Sequence, residues 1–186
     1  MESIPVAMVR PDLDKLPGYP LPAGYSFRLF RRGEERVWAE LQTAVGAFEG
    51  VEKALERFGE EFAAYPEDME SRCIFLVDDA TSEVIGSTIA WYKADFQGED
   101  HGRIHWVAIR PEYQGRKLAK PMLAAAMRRL AESHARAYLT TQTTAARAIN
   151  IYLDFGFVPL MTSDRADEAW GMLESELGRR VREGIE

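Results

Sequence analysis

A chain of 186 residues and 21.1 kDa, 46% hydrophobic and 28% charged, fits one domain and leaves no room for two of full size. That apolar content, with 11% aromatic residues, excludes a disordered protein, and the single cysteine, Cys73 in the apolar run Cys73-Ile74-Phe75-Leu76-Val77, excludes a disulfide scaffold and suits a reducing compartment. A net charge of −7 disfavours nonspecific nucleic-acid binding, no run nears the ~18 apolar residues of a membrane span, and residues 1–24 lack the apolar stretch of a signal peptide. A cytoplasmic setting is therefore expected, with neither nucleic acid nor membrane as partner.

In chain order, residues 1–24 hold five of the nine prolines and read as an extended arm. Tyr25–Phe30 alternates as a strand; Val37, Trp38, Leu41, Val45 and Phe48 share one helical face, and Val51, Leu55, Phe58 and Phe62 another. Cys73–Val77 and Val84–Trp91 read as strands across the polar turn Asp78–Ser82, and Gly86 marks a bulge or a close backbone approach. A polar loop is expected over 95–102, then a strand over Ile104–Ile109. A helix bearing Leu118, Met122, Ala126 and Leu130 follows, its start delayed or kinked by Pro121. After it come a strand at 137–141, a helix at 145–155, a strand from Gly156, and a last helix with Asp164 as N-cap and Trp170, Leu173, Leu177 and Val181 on one face. The pattern is an α+β (mixed α/β) domain around one sheet.

Charge is unevenly placed. Residues 49–70 carry eight acids against Lys53 and Arg57, and residues 110–136 carry seven bases against Glu112 and Glu132. Ile104 to Ala119, which runs into the basic segment, reads as a strand, a short turn and a helix start, with glycine and cations at the junction. Unpaired N–H groups and the positive end of the helix dipole make such a junction a phosphate site. It carries neither a Walker nor a Rossmann glycine pattern.

Gln114-Gly115-Arg116-Lys117-Leu118-Ala119 resembles the Gln/Arg-x-x-Gly-x-Gly/Ala pyrophosphate loop of the GNAT superfamily of N-acetyltransferases. Downstream, Arg147-Ala148-Ile149-Asn150-Ile151-Tyr152, continuing to Gly156-Phe157, is similar to that family's second signature, Asn-x-Arg-Ala-x-x-x-Tyr-x-x-x-Gly-Phe. The resemblance covers residues 25–161, with the arm and a C-terminal helix at 162–186 outside it. It implies a central, mostly antiparallel sheet of six to seven strands flanked by helices, and acetyl-CoA as cosubstrate with no metal. Val107 and Ile109 are then expected on the strand that pairs with the pantetheine arm, and residues 114–119 on the phosphates, with Arg147 and Asn150 also at the cofactor. Two departures stand out: Lys117 replaces the loop's central glycine, and Ala145 replaces an asparagine that touches the cofactor in many members.

The same resemblance assigns Tyr152 as the acid that protonates departing coenzyme A. A phenol of reference pKa about 10 is protonated at pH 7. His105 is the candidate base, since its ordinary pKa near 6.5 suits taking a proton from an amine, with Glu112 and a water relay as competitors. Strict alternation places His105 on one strand face with Val107 and Ile109, opposite Ile104, Trp106 and Ala108. His101 and His105, four apart on a strand, are separated by roughly 13 Å and cannot share a metal.

The reading is acetyl transfer by direct attack of a primary amine of a small molecule or peptide. The acids of 49–70 point to a cationic acceptor, with Trp38, Phe48, Trp91 and Tyr92 as its walls. The arm and last helix offer surfaces for a homodimer. The alternative is a noncatalytic acyl-CoA-binding or interaction module that keeps the fold.

Overall fold

The computed structural model describes residues 2–182. In chain order the elements are β1 (Pro5–Arg10), β2 (Tyr25–Leu29), α1 (Glu35–Ala44), α2 (Val51–Phe62), α3 (Pro66–Arg72), β3 (Cys73–Asp78), β4 (Glu83–Phe96), β5 (Glu99–Ile109), α4 (Ala119–Ala131), β6 (Ala137–Gln142), α5 (Ala146–Asp154), β7 (Val158–Leu160) and α6 (Ala166–Leu177). The strands hydrogen-bond in the order β2-β3-β4-β5-β6-β1-β7. The assigned pairings are antiparallel except β5 with β6, which run parallel. Seven strands in a mostly antiparallel sheet agree with the expected fold class.

The chain forms two compact units. One holds residues 18–91 and 104–130. In it β2, β3, the first part of β4 and the last part of β5 carry helices on both faces. One face packs α1, α2 and α3 through Trp38, Phe58, Phe62 and Met69 onto Phe75 and Ile89; the other packs Leu118 and Met122 of the α4 region onto Leu76, Ile85 and Ile109. Cys73 opens β3 fully buried, and burial pushes its thiol pKa up.

The expected irregularity at Gly86 is present: the β3–β4 register shifts beside it, between Leu76 and Val77. A Cβ at Gly86 meets the Ala108 carbonyl oxygen at 3.0 Å and side-chain carbons of Ile109 and Leu76 at 3.3 Å. Backbone cannot yield as a flexible side chain does. Gly86→Ala is therefore expected to cost about 1–3 kcal/mol of overpacking, read as a lower urea midpoint with unchanged m-value.

The other unit comprises residues up to 17, 92–103 and from 131 onward. Residues 5–10, expected within an extended arm, instead form β1, registered against β6 over six pairs and against β7 over three. The physical reason is alternation: Val6, Met8 and Arg10 are buried in turn, while Pro5 occupies the strand's first position, where a missing N–H is tolerated. The expected polar loop at 95–102 is mostly strand as well. Only Gln97 and Gly98 turn, both with positive φ (57° and 82°), the two-residue geometry that matches strand twist.

Helix ends account for the remaining differences. Helix α1 stops at Ala44, so Val45 and Phe48 lie beyond it. A short helix, α3, was not expected; Pro66 starts it. At α6 the N-cap is Arg165 rather than Asp164, and left-handed Gly178 ends the helix before Val181. Pro121, in contrast, falls at the third position of α4, inside the first turn, where a helix does not need its N–H. The late start expected from the sequence is what the chain adopts.

Candidate active site

The β5–α4 junction is built from side chains spent on shape and a backbone left open. Pro111–Tyr113 makes one 3-10 turn, and the Gln114 side-chain Nε2 donates to the Ile109 carbonyl at 3.0 Å, closing the turn on the strand that precedes it. Gly115 and Lys117 both hold left-handed φ, +80° and +61°. Left-handed residues are the material of anion-binding nests, and a lysine there costs on the order of 1 kcal/mol that glycine does not. The sequence therefore keeps the glycine conformation at 117 without the glycine. Residues 114–117 are exposed, while Leu118 is buried with Met122, leaving its backbone as its contribution. The Met122 N–H bonds the Leu118 carbonyl, the first helical bond of α4. Ahead of it, Leu118, Ala119 and Lys120 supply N–H groups at the positive helix end, and Pro121 supplies none.

Two of the cations here, Arg116 and Lys120, lie against tyrosines. Arg116 lies 4.5 Å over the Tyr113 ring, donates to the Tyr25 hydroxyl at 3.2 Å and to the Glu112 carbonyl at 3.0 Å. Lys120 sits 5.1 Å over Tyr19. Val107 and Ile109 pack in the same cluster as Leu118 and Ala119. The expected cofactor residues of this half are thus brought together in one unit.

Upstream on β5 the expectation of strict alternation fails. Trp106 has φ +47°, a left-handed residue inside a strand, and its carbonyl accepts from the buried Gln42 side chain at 3.2 Å. As a result His105 and Trp106 reach the same partner: Glu61 Oε2 accepts from Trp106 Nε1 at 3.0 Å and lies 2.7 Å from His105 Nε2. His105 therefore sits with Phe62 and Trp106, while Val107 and Ile109 belong to the opposite cluster. Glu61 was missed by sequence reading. Its signal was a carboxylate three residues after Phe58, on the margin of the buried stripe of α2. The competing base Glu112 is exposed in the 3-10 turn.

Tyr152, Arg147 and Asn150 lie on α5, in the other unit. Tyr152 is 8% exposed, packs against Phe157 and has its pKa pushed up to about 12 by burial alone. Arg147 and Asn150 are exposed, and the Asn150 side-chain oxygen accepts from Arg179 at 3.4 Å. Ala145 is the N-cap of α5 and offers no capping side chain where asparagine would.

Of the residues expected to wall the acceptor, Trp38 is fully buried in the aromatic core and presents no surface, while Tyr92 stacks on His134. Seven of the eight acids in 49–70 have a cation within 4.0 Å: Arg36 meets Glu52, Lys53 meets Glu56, Arg57 meets Glu60 and Glu61, Arg32 meets Glu67 and Glu70, and Arg72 meets Asp68.

A family model described as the acetyltransferase (GNAT) family matches residues 28–157. No protein of curated function matches the chain. Among solved structures, a GCN5-related N-acetyltransferase from Sphaerobacter thermophilus superposes with a TM-score of 0.62 at 19% identity over 85% of this chain and 50% of that one. An acetyltransferase of the GNAT family from Colwellia psychrerythraea gives 0.63 at 11% identity over 86% and 54%. A GCN5-related N-acetyltransferase from Kribbella flavida gives 0.54 at 17% over 85% and 55%. The chain spans about half the length of these structures, and at such identities the likeness concerns the fold.

Proposed function

The chain belongs to the GNAT acetyltransferase family, and from that premise we propose that it moves the acetyl group of acetyl-CoA to a primary amine of a small molecule or peptide. The observation that carries this reading is the β5–α4 junction: left-handed Gly115 and Lys117, an exposed loop, and a helix start with Arg116, Lys117 and Lys120 beside it. These groups suit a pyrophosphate through backbone N–H donors and positive charge. When bound, the thioester supplies an activated acyl carbon. The amine nitrogen bonds to that carbon and the carbon–sulfur bond breaks, with no acyl-enzyme required. The Val107 N–H is the proposed donor to the carbonyl oxygen as charge develops. His105 takes the proton lost by the amine, and Tyr152 gives its phenolic proton to the departing sulfur.

The acidic excess of residues 49–70 was the ground for a cationic acceptor. Seven of the eight acids are ion-paired, but to five cations, so the segment keeps a negative excess that suits a primary amine, itself cationic at neutral pH. Calorimetric titration with acetyl-CoA is the first test. Micromolar binding, followed by thiol release across an amine panel, supports the enzyme. Absence of heat at millimolar ligand overturns it, and binding without transfer to any amine leaves the noncatalytic acyl-CoA-binding module.

A further inference from the structure

We propose that Glu61 is a positioning residue for His105: it fixes which imidazole nitrogen can take a proton. This deepens the reading above and rests on His105 as the base. Glu61 lies one residue from the end of α2, about a quarter exposed, with a single carboxylate oxygen meeting two ring nitrogens from consecutive residues of β5. Consecutive side chains on a regular strand point to opposite faces. Here both reach one oxygen because Trp106 is left-handed.

That conformation is held from both ends. The Trp106 indole N–H is tied to Glu61, and its carbonyl accepts from Gln42 Nε2 at 3.2 Å and faces the Ser87 hydroxyl at 3.5 Å. Gln42 and Ser87 are themselves buried and joined at 3.2 Å, and the Trp106 ring lies against Phe48, Trp38 and His105. A left-handed tryptophan is costly, and a carboxylate across from its indole is a specific reason for the chain to keep it.

The chemical consequence follows from donor and acceptor counting. An ionised carboxylate only accepts, so a 2.7 Å contact puts the hydrogen on His105 Nε2. In the neutral ring the lone pair is then on Nδ1, the nitrogen that carries the ring's basicity. When Nδ1 takes the amine's proton, the Nε2 hydrogen stays with Glu61 and the new positive charge faces a carboxylate. No proton passes to Glu61, and Nδ1 returns its proton to solvent after the acetylated product leaves.

Nitrogen-15 NMR of the imidazole ring, alongside steady-state kinetics, tests this. The wild type is expected to show a hydrogen-bearing Nε2 and a lone-pair Nδ1. Glu61→Ala is expected to mix the tautomers and lower kcat roughly tenfold to hundredfold with the acetyl-CoA KM unchanged. Glu61→Gln, which keeps an accepting oxygen, is expected to retain the tautomer and recover most of the rate. A wild-type ring with hydrogen on Nδ1 overturns the proposal, even if the alanine variant does not fold. So does a Glu61→Ala variant whose ring signals and kcat are unmoved. If the wild type transfers acetyl to no amine, the functional reading falls while the ring spectrum still decides the hold of Glu61 on His105. If His105→Ala keeps full rate, the base assignment falls and the positioning role with it.

Discussion

Tyr152→Phe is expected to lower acetyl transfer by about 10²–10⁴-fold while leaving acetyl-CoA affinity within a factor of two or so. The substitution removes one oxygen from a buried ring and leaves the packing against Phe157 in place. Burial is the sole cause of the raised phenol pKa, with no hydrogen bond or charge contributing, so the hydroxyl has little to lose structurally. The variant should melt at or slightly above the wild-type temperature, which separates a chemical loss from a folding one. A phenol near 12 keeps its proton throughout the working range, and a departing thiolate placed in equally dry surroundings is penalised by the same desolvation. The sign of the pH effect is fixed. A folded-state pKa of about 12 against about 10 unfolded means the unfolded chain releases the proton first as pH rises. The stabilisation is complete below pH 10 and is lost between about 10 and 12, an order-of-magnitude 3 kcal/mol. Tyr152→Phe should remove that share of the alkaline loss. Full transfer activity in the phenylalanine variant would remove Tyr152 from the mechanism.

The largest stability effect is expected at Arg10. This guanidinium is 8% exposed and its assigned hydrogen bonds all go to backbone carbonyls: Nε to Asp12 at 2.7 Å, Nη2 to Lys15 at 2.6 Å, and Nη1 to Phe155. One planar fork thus satisfies three acceptors, two in the segment after β1 and one at the C-cap of α5. Removing it strands the buried Phe155 carbonyl and unties the Asp12 and Lys15 carbonyls, which lie in a more exposed segment. Arg10→Ala is expected to cost about 2–4 kcal/mol, a fall of the order of 10 °C in melting temperature for a chain of this size. Arg10→Lys should recover less than half, because an ammonium has no planar fork with which to span three acceptors. Gly156, left-handed at +77°, lets the guanidinium approach: a Cβ there would come within 3.3 Å of Nη1. A melting temperature within about 2 °C of wild type for Arg10→Ala would contradict this account.

These two residues also mark what the sequence makes legible. Tyr152 and the 114–119 loop sit in contiguous motifs, and their resemblance to the two GNAT signatures is what points to the chemistry proposed for them. Arg10 lies in a segment that prolines disguise as an arm, although its alternating burial, Val6, Met8, Arg10, is the ordinary pattern of a strand. The hidden cue was an arginine in phase with two apolar residues. Glu61 was hidden for a different reason. Its partners are 44 and 45 positions away, and they converge only because Trp106 breaks the alternation on which strand-face arguments depend. No local pattern announces a left-handed tryptophan. The pairing of the acids of 49–70 was hidden for a simpler reason: their partners Arg32 and Arg36 precede the run and Arg72 follows it.

The sealed thiol of Cys73 has a practical consequence for every experiment above. Release of coenzyme A is followed with a thiol-reactive chromophore, and the protein's one sulfhydryl opens β3 at 0% exposure with its ionisation suppressed by burial. The folded chain therefore contributes no background colour to a turnover trace. Once the chain unfolds, that same sulfhydryl reacts, so labelling in the absence of acetyl-CoA counts unfolded molecules. A single reagent then separates slow catalysts from failing folds: Tyr152→Phe should leave the blank colourless, and Arg10→Ala should develop colour as it is warmed.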